Sequence, residues 1–92
     1  MSSFSNASEE DQVAMGNDAE KLLLDVTFNS VINNLVESAF QAFVVSKPDN
    51  KDGRETIYNA YRAVTEIVAT LQQRVQVRDQ ILEKQRENSE EE

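Results

Sequence analysis

The chain has 92 residues, a net charge of -8 from 17 acidic and 9 basic side chains, and neither cysteine nor histidine. That allows one small domain, rules out disulfides and His- or Cys-based nucleophilic catalysis, and leaves a metal only carboxylates and carbonyls to bind. The acidic balance also opposes direct contact with nucleic-acid phosphates or anionic membranes unless the few bases cluster.

Residues 1–16 are rich in Ser, Asn, Glu and Asp, with only Phe4, Val13 and Met15 as apolar anchors. Such a composition reads as a flexible acidic arm. It has no basic or apolar run of a secretory signal, and no later stretch approaches the roughly 18 apolar residues of a membrane span. The expected location is therefore the cytoplasm, with no membrane partner.

Asn17 followed by Glu20 fits a capping box, and Leu22–Leu24 follow as a short apolar segment. Asp25 is a further candidate cap, because Val26 and Thr27 are β-branched and weak helix formers. Residues 17–45 thus form either one kinked helix or two. From Phe28 the apolar positions Phe28, Ile32, Leu35, Ala39 and Ala42 alternate steps of four and three, one stripe along a helix. Val31, Val36, Phe40 and Phe43 widen it. The helix should stop near Ser46, since Pro48 disfavours helical geometry in Lys47.

Residues 47–53 concentrate Pro, Asn, Asp and Gly and read as a turn. Asp52 is expected to cap the next helix, with Glu55 completing its capping box. Arg54 is a positive charge in a first turn, where the helix dipole disfavours it. A bond to the carbonyls ending the preceding helix, or to Asp49, would account for it and make it a lock on the turn. The second helix is expected from about Gly53 to Lys84. Ile57, Tyr61, Val64, Val68, Leu71 and Val75 mark nearly three heptads, and Arg78 interrupts the stripe before Leu82. Residues 85–92 read as a charged tail.

The expected fold is all-α: an antiparallel helical hairpin over 17–84, with a short N-terminal helical segment and disordered acidic tails. Its core would be Phe28, Ile32 and Leu35 against Ile57, Tyr61, Val64, Val68, Leu71 and Val75. At 1.5 Å per residue the second helix is roughly 45 Å long and the first nearer 30 Å. The overhang leaves Val77, Ile81 and Leu82 uncovered, except by the Leu22–Leu24 segment. These three are the expected contact between copies of the chain.

Other constellations have plainer readings. Asp49, Asp52 and Glu55 resemble a cation or acid–base cluster, but turn and cap roles account for each, and the spacing is not that of an EF-hand loop. Gly53 alone makes no phosphate-binding loop. Arg74, Arg78, Lys84 and Arg86 could face phosphates, yet acids three or four residues away offer ordinary helix-surface pairs. Tyr58 and Tyr61 with Phe40 and Phe43 form either a peptide-binding patch or the plug closing the hairpin at its loop end. No cofactor, metal site or catalytic residue is expected.

The segment Ala19–Phe28, the turn with Asp52-Gly53-Arg54-Glu55, and the amphipathic stretch Tyr58–Leu71 resemble a group of small helical proteins encoded among the structural and packaging genes of tailed bacteriophages. The resemblance covers residues 19–75. Many such proteins carry a proline after the position of Asp25, where this chain has Val26. The resemblance implies a virion-assembly or DNA-packaging setting inside a bacterial host cell, possible incorporation into the virion, and another phage structural or packaging protein as a partner. It implies no catalytic residues. The leading expectation is a non-enzymatic assembly protein that forms homo-oligomers. The alternatives are a small terminase subunit forming a DNA-packaging ring, with Arg74, Arg78, Lys84 and Arg86 on the DNA side, and an acidic inhibitor of a host enzyme.

Overall fold

The computed structural model describes residues 8–91. They form three helices and no strand: α1 (Glu9–Leu23), α2 (Val26–Val45) and α3 (Lys51–Glu91). The helices divide between two compact units. One contains α1 and α3 from Thr70 onward; the other runs from Leu24 to Ala69 and contains α2 and the first part of α3.

α1 begins eight residues before the expected Asn17 cap, so residues 9–16 are helix and not an arm. Residues 1–7 lie outside the described part. Ser8 supplies the cap, its hydroxyl accepting from the Asp11 amide at 3.1 Å. Glu9, Glu10 and Asp11 then place three acids at the positive end of the helix. The inward face follows Gln12, Gly16, Ala19 and Leu23, in steps of four, three and four. Gly16 and Ala19 are its buried members. The contact relies on small side chains, which hydropathy patterning registers poorly.

Leu24 and Asp25 separate α1 from α2, so there are two helices where one or two were expected. Asp25 is extended (φ -75°, ψ 126°) and its carboxylate accepts from the Phe28 amide at 2.7 Å. That is the N-cap geometry, which satisfies one of the free donors of a new helix. α2 ends at Ser46, whose amide and hydroxyl both donate to the Phe43 carbonyl. The chain then turns through Lys47–Asn50, with the Asn50 amide returning to the Lys47 carbonyl at 3.0 Å. Pro48 takes the second position of this turn, where its fixed φ is favourable.

The cap of α3 is Asn50 and not Asp52. The Asn50 side-chain oxygen accepts from the Gly53 amide at 3.1 Å, and α3 starts at Lys51. A Cβ on Gly53 would lie 2.4 Å from the Asn50 amide nitrogen, so glycine here leaves room for the capping side chain. Asp52 sits in the first turn, and its carbonyl receives the Thr56 hydroxyl. At the other end α3 continues to Glu91, so 85–91 extend the helix, and Glu92 lies outside the described residues. Lys, Gln, Arg and Glu are good helix formers, and Arg86 pairs with Glu83 one turn back.

Among the described residues, the buried hydrophobic side chains are Ala19 and Ile81, both in the unit containing α1. Of the nine residues expected as a hairpin core, none is buried. Leu35 and Tyr61 are exposed, and Phe28, Ile32, Ile57, Val64, Val68, Leu71 and Val75 are half-buried. Leu71 and Val75 belong to the α1 unit and not to the α2 unit.

Candidate functional site

The α1 unit is held at one well-defined place. The Arg78 guanidinium donates to Asn17 Oδ1 at 3.1 Å and to both Glu20 oxygens at 2.9 and 3.3 Å. It also donates to Asp79 at 2.9 Å. Its side chain is only 11% exposed, a level at which an arginine is almost always paired. Asn17 and Glu20 were expected to cap a helix. The same three-residue spacing puts two side chains on one helix face, and here that face receives Arg78. The hydrogen bond and charge of Arg78 hold the Glu20 carboxyl below its ordinary range, while Glu20 and Asp79 raise Arg78 further above its own.

Gly16 explains why the two helices come this close. A Cβ there would lie 2.4 Å from Arg78 Cβ and 2.8 Å from the Arg74 carbonyl. Glycine costs about 1 kcal/mol relative to alanine inside a helix, so a mid-helix glycine needs such a reason. A glycine in mid-helix, with Val13 and Met15 half-buried nearby, is the sequence signal that α1 packs against another segment.

This packing also corrects the expected contact between copies. Ile81 is 8% exposed and Val77 half-buried within the chain's own α1 unit; Leu82 remains 44% exposed. Within the α1 unit the overhang is therefore covered in part, at Val77 and Ile81, and Leu82 stays open. Nor do the four bases form a free set: Arg78 is committed to Glu20 and Asp79, and Arg86 to Glu83.

In the α2 unit, the ends of the two helices are joined by Arg54. Its Nε donates to Ser46 Oγ at 2.9 Å and its NH2 to the Ser46 carbonyl at 3.2 Å. The guanidinium carbon lies 4.5 Å from the centre of the Phe43 ring. The charge disfavoured at the start of α3 thus sits at the negative end of α2, on an aromatic face. Glu55, expected to close a capping box, is exposed.

The same unit carries two apolar grooves between α2 and α3. One, of about 450 Å³, is lined by Val36, Phe40 and Phe43 of α2, with Glu37 as its one charged residue, and by Ile57, Tyr58 and Tyr61 of α3. The other, of about 320 Å³, is lined by Leu35, Ser38 and Ala42 of α2 and by Thr56, Ala60 and Val64 of α3. Ala39 and Ile57 border both. Each residue turns a helix by about 100°, so Val36, Phe40 and Phe43 lie to one side of Ala39, and Leu35, Ser38 and Ala42 to the other. The first groove is walled by aromatics and the second by aliphatic and small side chains.

The exposed surface here is unusually apolar. Phe40 (56%), Phe43 (44%), Tyr58 (53%) and Tyr61 (41%) show large fractions of their area, as do Val31, Leu35, Val44, Val45 and Ile67. α2 has no buried residue, and its only ionisable side chain is Glu37. Among the described residues no three His, Cys, Asp or Glu side chains group as a metal site, and no helix is long and apolar enough to cross a membrane.

No protein-family model, curated protein or solved structure matches this chain.

Proposed function

We propose that the protein is a non-enzymatic helical assembly protein that associates with copies of itself, in the phage virion-assembly or DNA-packaging setting its sequence resemblance implies. In this reading α2 and the first part of α3 form a helical hairpin whose surface completes itself only in the assembly.

One observation carries the proposal: a 20-residue helix with a single ionisable side chain has no buried residue. Helices in proteins owe most of their stability to packing of an apolar face, and the apolar face of α2 is only half-buried in its own unit. Each large aliphatic or aromatic side chain taken from water contributes about 1.5–3 kcal/mol, so several together offset the cost of association. Terminase-like DNA binding through Arg74, Arg78, Lys84 and Arg86 draws no support, because Arg78 and Arg86 already hold acids of the same chain.

The test is light scattering on the intact chain after size exclusion. A mass above that of one copy, falling on dilution toward it, is the expected result. A single-copy mass across the micromolar range would overturn self-association.

A further inference from the structure

We infer that the two grooves of the α2 unit are complementary halves of one contact: the aromatic groove of one copy seats on the aliphatic groove of the next. This rests on the self-association reading and adds its geometry. The two grooves open on opposite sides of the Ala39–Ile57 seam, so one partner cannot cover both; the contact is head-to-tail, and the assembly has more than two copies.

Three observations select a second copy as the occupant. The first is charge. Residues 24–69 hold six acids (Asp25, Glu37, Asp49, Asp52, Glu55, Glu66) and four bases (Lys47, Lys51, Arg54, Arg62), a net -2 of the chain's -8. Two copies repel one another, and the repulsion is least where they meet through this unit. A basic partner would be drawn to the other unit, which carries the remaining charge.

The second is size. Phe40, Phe43, Tyr58 and Tyr61, all about half exposed, wall the groove of about 450 Å³, while the small side chains Ser38, Ala42 and Ala60 wall the groove of about 320 Å³ beside Leu35 and Val64. Large side chains pack best opposite small ones. Aromatic groove on aromatic groove would set bulk against bulk and leave the aliphatic groove uncovered.

The third is area. The four aromatics, about half exposed, at roughly 150–250 Å² each, present on the order of 300–500 Å² per copy. That is a large part of the roughly 800 Å² each partner contributes to a standard interface, before the rim is counted. A contact between unlike faces repeats from copy to copy and closes into a ring when the rotation permits.

The test uses one charge in each groove of the full chain, Phe40→Glu and Leu35→Glu, followed by light scattering. The wild type is expected at three copies or more and each variant at one. An equimolar mixture of the two variants is expected at two copies, because each retains the half the other has lost. If either variant loses helicity by circular dichroism, Tyr58→Glu or Ala60→Glu replaces it in the same groove. Variants that each remain dimers and do not combine would overturn the head-to-tail contact and leave self-association standing. Variants with unchanged mass would place the interface elsewhere. A single-copy wild type would remove both the geometry and the reading beneath it.

Discussion

At the scale of single residues, Gly16 and Arg78 set how α1 meets α3. Replacing Gly16 by Ala gains about 1 kcal/mol of helix propensity. The new methyl, however, meets Arg78 Cβ and the Arg74 carbonyl, and neither is a free side-chain end that can swing away. Overpacking of this kind costs about 1–3 kcal/mol, so the substitution should be neutral to destabilising by up to about 2 kcal/mol. Urea unfolding followed by helical circular dichroism would measure it. A clear gain in stability would mean that the helices are not in close contact there.

Glu20 makes the same contact sensitive to acid. Its carboxyl is held below the ordinary value by Arg78, so it binds fewer protons folded than unfolded. The stabilisation is complete above the unfolded carboxylate pKa and is lost as pH falls through the folded one. Melting temperature should therefore fall on acidification, and Glu20→Gln should flatten that dependence while lowering stability near neutral pH. An unaltered pH profile in the variant would show that other carboxylates dominate.

At the scale of elements, caps decide where helices begin. Asp25 starts α2, its carboxylate accepting from the Phe28 amide. Asp25→Ala should cost about 1 kcal/mol, as loss of an N-cap typically does. The same substitution at Asp52 should cost less, because Asn50 and not Asp52 caps α3. Paired urea melts would rank the two; a larger loss at Asp52 would contradict the assignment. Arg54→Ala removes two hydrogen bonds and an aromatic contact at the α2–α3 turn and should cost about 1–2 kcal/mol.

Legibility in the sequence also varied by element. The helices α2 and α3 and the Pro48 turn between them were readable because each follows a local rule about spacing or backbone geometry, whereas the expected core along their stripes is not buried. α1 was misread because its contact face is built from Gln12, Gly16 and Ala19, which carry little hydrophobic signal. Asn17 fails as a cap because α1 starts eight residues earlier, and Asp52 because several polar residues near the start of α3 can each cap and only the backbone geometry chooses among them.

At the scale of the whole chain, apolar surface and charge are unevenly divided. The large exposed aromatics Phe40, Phe43, Tyr58 and Tyr61 lie in the α2 unit, which holds a net -2 of the charge. An interface in that unit makes a prediction for the residue first expected at the contact. Leu82→Glu, in the α1 unit, should leave the oligomeric mass unchanged, whereas Leu35→Glu should lower it. A fall in mass with Leu82→Glu would restore the C-terminal part of α3 as the interface.

By itself the sequence determined an all-helical chain without His or Cys chemistry, because periodicity and composition are properties of order along the chain. Only the tertiary structure decided which apolar residues are covered. Ile81 is enclosed because a helix distant in sequence, approaching over a glycine, lies against that part of α3. Much of the surface of α2 is left open because none of the described residues encloses it. Burial depends on contacts between segments far apart in sequence, which the spacing within either segment does not encode.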